Sequence, residues 1–238
     1  MRVLTFASQK GGSGKTTLAG HVAVQAERAG AGPVAMIDTD PQGSLSEWWN
    51  AREAETPLFA QTFISRLGED LRKMAESGVE LVVFDTPPAI TSTIEQVIRV
   101  SDLVVIPTRP SPHDLRAAGA TVDLVERAGG ALVFVVNAAT PRARISAEAA
   151  IALSQHGTVA PVTVHQRTDF AASMIDGRTV MELPDAPRAA EEIVELWDYL
   201  EDRLSRAAPR PELSAAPAGA RTTAVEAIQG SLAQGFGR

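Results

Sequence analysis

The run Gln9-Lys10-Gly11-Gly12-Ser13-Gly14-Lys15-Thr16-Thr17 gathers the residue types that hold phosphate. Its glycines let the chain curl until backbone N–H groups converge on anionic oxygens. Lys15 is spaced to reach the β- and γ-phosphates of a nucleotide, and the Thr16 hydroxyl to meet Mg²⁺. The apolar run 2–8 precedes this loop and helical spacing over 15–29 follows it, so a helix N-terminus adds partial positive charge where the anion would lie. Lysine usage sharpens the reading. The chain has 3 lysines against 19 arginines, and two of the three, Lys10 and Lys15, fall in this loop.

Carboxylates follow at strand ends. The segment 34–44 (VAMIDTDPQGS) carries Asp38 and Asp40, and 81–88 (LVVFDTPP) carries Asp85. Asn137 closes the strand ALVFVVN. A carboxylate at such a position serves a metal or a water, although it also caps helices and starts turns.

The elements that must place these groups are short β-rich runs alternating with helical stretches. Strands are expected over 2–8, 33–37, 79–84, 103–107, 131–136 and 159–164. Helices are expected over 15–29, 45–54, 64–77, 91–100, 114–128, 146–155 and 188–205. Near-continuous apolar strands covered on both faces imply an α/β fold: a doubly wound, mostly parallel sheet with helices on both faces. Residues 1–205 form the expected domain. The Ala/Pro-rich stretch 206–238 reads as a flexible tail with a short helix over 222–233.

Composition excludes other classes. With no cysteine there is no disulfide, thiolate zinc site, iron–sulfur ligation or cysteine nucleophile. No apolar run approaches the ~20 residues of a membrane span, and the N-terminus lacks a signal-peptide layout. The net charge of −7, and −9 over residues 1–205, means that any nucleic-acid binding must come from a local patch.

The string KGGSGKTT resembles the deviant Walker A motif of the ParA/MinD class of P-loop ATPases. The resemblance covers about residues 1–205 and implies ATP and Mg²⁺ as ligands. It makes Lys15 the lysine acting on its own chain's nucleotide and Thr17 an α-phosphate contact. Lys10 becomes the lysine that crosses a nucleotide-sandwich dimer to the partner's ATP, neutralising charge as an arginine finger does. DTDPQGS resembles the family's first switch segment, with Asp40 orienting the attacking water and Asp38 near the metal shell. LVVFDTPP resembles its Walker B and second switch, with Asp85 on Mg²⁺. Asn137 stands where the family reads the adenine edge. The string 103–117 (LVVIPTRPSPHDLRA) is similar to the PxxPSPxD segment of short, ParF-like members. There Pro107, Pro110, Pro112 and Asp114 would form a stiff dimer surface, Asp114 also reading as a helix N-cap and His113 as an exposed loop residue. Of Trp48 and Trp49, one ring is expected in the core and the other toward a partner surface.

What the resemblance implies is an ATP hydrolase, slow alone, that dimerises on ATP, binds DNA without sequence preference, and segregates a plasmid or chromosome or positions a protein cargo. A ParB-like or cargo-adaptor protein would stimulate hydrolysis, and the chain would be cytoplasmic and nucleoid-associated. Arg142, Arg144, Arg167, Arg178 and Arg188 are the candidate DNA contacts, although Glu148, Asp169, Asp176, Glu182 and Asp185 lie among them. Two alternatives remain open: a MinD-like membrane-cycling ATPase using the 222–233 tail, and a non-hydrolysing nucleotide-dependent scaffold. The intact Asp40 and Asp85 argue against the second.

Overall fold

The computed structural model describes residues 1–89 and 92–207. The expected tail helix over 222–233 lies outside the described residues.

In chain order the elements are β1 (Arg2–Phe6), α1 (Lys15–Arg28), β2 (Val34–Asp38), α2 (Ser44–Asn50), β3 (Leu58–Phe59), α3 (Leu67–Glu76), β4 (Leu81–Asp85) and α4 (Ser92–Val100). There follow β5 (Leu103–Thr108), α5 (Pro112–Arg127), β6 (Leu132–Val136), α6 (Arg144–Ser154), β7 (Thr158–Val159), α7 (Thr168–Met174) and α8 (Pro187–Arg206). Single 3-10 turns stand at Ile64–Arg66 and Val180–Glu182.

The strands form one seven-stranded sheet in the order β3-β2-β4-β1-β5-β6-β7, and every pairing is parallel. Parallel strands need crossovers, and the helices that supply them cover both faces. Alternation along β1 shows the layers. Leu4 and Phe6 pack with Leu18 and Val22 of α1 and with Ile193 and Trp197 of α8. Val3 points the other way, among Leu71 of α3, Phe84 and Val97 of α4. Beyond β1, Val104 and Ile106 pack with Val122 of α5 and Leu153 of α6.

This order places the chemistry. All carboxyl ends of the strands lie at one edge, β1 is central, and β4 and β5 flank it. Phe6 is in register with Asp85, and Asp85 with Asp38. The loop after β1 and the carboxylates ending β2 and β4 therefore emerge side by side, as ligand sites do at the carboxyl ends of open α/β sheets.

The structure adds and shifts elements. Strand β3 has two residues, too short for periodicity to reveal. Helix α2 ends at Asn50, earlier than 54, where Arg52 turns inward to Glu182 and the carbonyl of Gly177. The strand expected over 159–164 pairs only at Thr158–Val159, after which Ala160 and Val164 each donate one backbone bond to β6. Helix α7 was not expected.

Candidate phosphate-binding site

Between β1 and α1 the loop curls through Gly12 at φ 73° and Gly14 at φ 97°. Both angles are left-handed, the region glycine enters without penalty. Gly14 is also pinned sterically, since a Cβ there would lie 2.1 Å from Asn137 Nδ2. That amide donates to the Ser13 carbonyl at 2.7 Å, so the end of β6 braces the loop. Asn137 was expected at the adenine edge; the structure adds this bracing contact. At Gly11 a Cβ would meet nothing within 4 Å, so the space over the loop is open.

Lys15 opens α1 and is buried. Burial lowers its ammonium pKa, and Asp85 and Asp40 oppose that shift. Lys10 is exposed, with its backbone N–H on Ser8 Oγ at 3.3 Å. Thr17 joins the first turn of α1, and its carbonyl bonds the ring of the fully buried His21 at 2.7 Å.

Asp85 is 1% exposed and accepts the Thr16 hydroxyl on Oδ2 at 2.5 Å. Burial pushes its carboxyl up to about 7, with Asp38 and Asp40 adding to the rise and the Thr16 hydrogen bond and Lys15 opposing it. Its Oδ1 is buried with no hydrogen-bond partner, as are Ser13 Oγ and Gln9 Nε2. A buried unpaired acceptor is costly, and such groups collect where a ligand completes them. Hard oxygen donors on Thr16 and Asp85 beside an anion cradle suit Mg²⁺ with a polyphosphate. The residues present therefore fit the nucleotide and metal.

Asp38 and Asp40 divide their tasks. Asp38 Oδ1 accepts from the Asp40 N–H at 2.9 Å, and Oδ2 from the N–H groups of Leu45 and Ser46 at 3.0 and 3.1 Å. Asp38 thus holds the segment that carries Asp40, while satisfying the start of α2. Asp40 accepts the Gln42 N–H at 3.0 Å and acts electrostatically on Lys15 and Asp85. Thr39 fastens the same segment to β4 through its N–H and hydroxyl, both on the Asp85 carbonyl.

The proline segment changes on inspection. Pro107 is buried inside β5, paired with Val135, so it presents no surface. Asp114 is buried and is not the N-cap of α5. Ser111 caps, its Oγ accepting the Asp114 N–H at 3.2 Å, with Pro112 in the first turn. The shift has a steric reason: proline suits the first helical position, which moves the cap one residue before it. Pro110 and the exposed Pro112 are left for a contact surface, and His113 is exposed.

Most of the candidate DNA arginines have acidic partners. Arg167 binds Glu192, which also accepts from the backbone and ring of His165. Arg178 pairs with Asp176 at 2.7 Å and Arg144 with Glu148 at 2.7 Å. Arg142 and Arg188 are exposed. Trp48 is core and Trp49 is half-buried on Phe59, ring centroids 5.4 Å apart, its Nε1 on the Pro57 carbonyl at 2.8 Å.

Two features escaped the sequence. One is Arg52, 4% exposed and paired through both terminal nitrogens with Glu182, which ties α2 to the 177–182 segment. Trp48 Nε1 adds a bond to the Arg178 carbonyl at 3.1 Å. The other is Arg109, whose guanidinium stands against Gly12.

A family model for the CobQ/CobB/MinD/ParA nucleotide binding domain matches residues 4–180. The chain is 30% identical over 202 residues to the maintenance of carboxysome distribution protein A of Halothiobacillus neapolitanus, covering 80% of this chain and 92% of that one. Among solved structures, McdA of Cyanothece in complex with ATP superposes with a TM-score of 0.68 at 18% identity, over 84% of this chain and 96% of that one. The septum site-determining protein MinD of Pyrococcus horikoshii, complexed with Mg-ADP, superposes with 0.70 at 15% identity, over 84% and 96%. At those identities the superpositions speak for the fold.

Proposed function

This chain belongs to the CobQ/CobB/MinD/ParA family of nucleotide-binding domains, and from that premise we propose that it is a ParA-type ATPase. It binds Mg²⁺-ATP, closes into a nucleotide-sandwich homodimer, holds nonspecific DNA, and segregates a plasmid or chromosome or positions a protein cargo. The observation that carries the nucleotide reading is the set of unpartnered buried groups facing the loop, Asp85 Oδ1 and Ser13 Oγ. The named relative supports cargo positioning: it is a carboxysome distribution protein similar over 92% of its own length.

The backbone N–H groups of residues 11–17, with Ser13 among them, cradle the phosphates, and Lys15 offsets their charge from below. Thr16 Oγ1 and Asp85 supply oxygens to the metal. Bound Mg²⁺ would neutralise phosphate charge and favour the ionised form of Asp85. Asp40, held at its backbone by Asp38, orients the attacking water. Lys10 reaches to the partner's nucleotide. Asn137 braces the loop and faces the base. The switch segment 38–46 follows directly after β2, so a change in the phosphate at the loop is felt where α2 begins. A ParB-like or cargo-adaptor protein would accelerate hydrolysis on the dimer, which works in the cytoplasm on the nucleoid. No described helix is long and apolar enough to cross a membrane.

DNA retention would fall to Arg142, Arg144, Arg167, Arg178 and Arg188, several of which must first leave a carboxylate. ATP-dependent co-sedimentation with DNA and with liposomes tests the reading directly. DNA retention that weakens steeply with salt supports it, whereas retention on liposomes alone would move the chain to the membrane-cycling alternative. Arg167→Glu is expected to abolish DNA retention and leave ATP binding intact. Unchanged co-sedimentation of that variant would remove Arg167 from the DNA surface.

A further inference from the structure

Arg109 follows β5 by one residue and projects beside the phosphate loop. A Cβ on Gly12 would sit 3.6 Å from its Nη2 and 4.0 Å from its Cζ. Its backbone is well held. Its carbonyl accepts the Ser111 N–H at 2.7 Å, and the preceding Thr108 carbonyl accepts the Asn137 N–H at 2.9 Å. The guanidinium is exposed and has no hydrogen bond or ion pair among the described residues. That sets it apart from Arg52, Arg167 and Arg178, each of which has a carboxylate.

The surroundings make this solitude informative. Arg109 shares the loop with Lys10, Lys15 and the N-terminus of α1. None of the site's carboxylates pairs with Arg109: Asp38 accepts backbone N–H groups, Asp85 accepts Thr16 on one oxygen, and Asp85 and Asp40 act on Lys15. An anion on the loop would give the unpaired guanidinium charge-assisted hydrogen bonds. A planar fork that can grip two oxygens of one phosphate is the side chain best shaped for them.

We propose that Arg109 is a phosphate-reading residue of the nucleotide site, contacting the β,γ end of the nucleotide held by its own chain. The proposal rests on the ATPase reading above. It adds a cation to the one expected in the same chain, Lys15, and to the one expected from the partner, Lys10. It gives the segment between β5 and α5 a role: Pro107 and Pro110 restrict the backbone from which Arg109 reaches the loop, so less backbone freedom is lost on binding.

The test uses the full chain and fluorescent ATP, ADP and AMP with Mg²⁺, comparing wild type with Arg109→Ala, Arg109→Lys, Lys15→Ala and Lys10→Ala. Arg109→Ala is expected to weaken ATP binding about tenfold and to leave both AMP binding and apo-protein melting as in wild type. Arg109→Lys keeps the charge and loses the fork, so it falls between. The loss should persist in the Lys10→Ala background; its disappearance there would assign the contact to the partner's nucleotide and overturn the same-chain role. Wild-type ATP affinity in a folded Arg109→Ala protein, or an equal loss for AMP, would also overturn it. If Arg109→Ala does not fold, the same comparison is read from Arg109→Lys. Failure of the wild type to bind any of the three nucleotides would sink the ATPase reading itself. Binding lost in Lys15→Ala but kept in Arg109→Ala would sink this proposal alone.

Discussion

The loop between β1 and α1 and the segment around 165–192 are both rich in charge, and they treat it in opposite ways. At the loop, Arg109 has no partner among the described residues, and Asp85 Oδ1 and Ser13 Oγ are buried without one. Across the 165–192 segment, Arg167 meets Glu192, Arg178 meets Asp176, and Glu182 takes Arg52 and Thr179. The first region leaves a cation and several buried polar atoms without partners, whereas in the second each of these charges meets an opposite one and Arg167 Nε alone among their atoms is buried without a hydrogen bond. Incompleteness identifies the ligand site here better than charge does. Three of the five candidate DNA arginines, Arg144, Arg167 and Arg178, are paired with carboxylates in the unliganded chain, and a DNA role for them must compete with those pairs.

Substitutions that act on one region and spare the other sharpen this contrast. The largest effect belongs to the Arg52–Glu182 pair. Burial pushes the Glu182 carboxyl up, but the bonds from Arg52 and Thr179 outweigh it and hold the carboxyl below its usual range. Arg52→Ala leaves that partly exposed carboxylate with the Thr179 donors alone and is expected to cost about 3 kcal/mol in a urea titration, leaving nucleotide affinity unchanged while the protein remains folded.

Next comes the seam between the regions, where His21 of α1 lies edge-on to Phe170 of α7, ring centroids 5.2 Å apart. Burial lowers its pKa to about 4, opposed by the bond to the Thr17 carbonyl. The folded value lies below the ordinary one near 6.5. Stability is therefore full above about pH 6.5 and is lost as the pH falls toward 4, by up to about 3 kcal/mol. Denaturation curves at pH 7, 5.5 and 4 should show this slope in the wild type and a flatter one in His21→Gln. Equal slopes would place the titration in other groups.

Lys15→Ala should behave as the mirror image of Arg52→Ala. ATP affinity falls about a hundredfold, while the apo protein is as stable as wild type or more so, because a partly desolvated ammonium has been removed. Loss of stability in Lys15→Ala would mean the loop charge is structural after all, and the contrast would fail. The smallest effect is expected at Arg144, whose pairing with Glu148 is exposed. Arg144→Ala should shift stability by less than about 0.5 kcal/mol.

The phosphate loop was legible in the sequence because its function is local: glycines, lysine and threonine within nine residues dictate the curl and its contents. Asp38, Asp40 and Asp85 were legible as strand-end residues, and parallel strands bring such ends to one edge. What stayed hidden depended on distance along the chain. Arg52 meets Glu182 across 130 residues and Arg167 meets Glu192 across 25, and neither partner is implied by its neighbours. Arg109 needed the strand order, because only the adjacency of β5 to β1 puts it against Gly12. Ser111 and Asp114 are both good capping residues, and proline chemistry decided between them. Pro107 was expected both in the strand 103–107 and on a dimer surface, and its pairing with Val135 inside β5 keeps only the first.

The one-sidedness of the sheet has a practical consequence. Nothing assigned to nucleotide, metal or partner leaves the amino ends of the strands. One turn there is committed, since Asp102 Oδ2 accepts the Val3 N–H at 2.7 Å and Ser101 shares a 2.6 Å hydrogen bond with Thr5. The turns at 77–79 and 128–130 carry no such duty, and both Gly78 and Gly129 are exposed. A fluorescent domain or affinity handle spliced into either turn would sit at the far end of the molecule from the chemistry. That makes them suitable attachment points for following the protein in living cells with its switch intact.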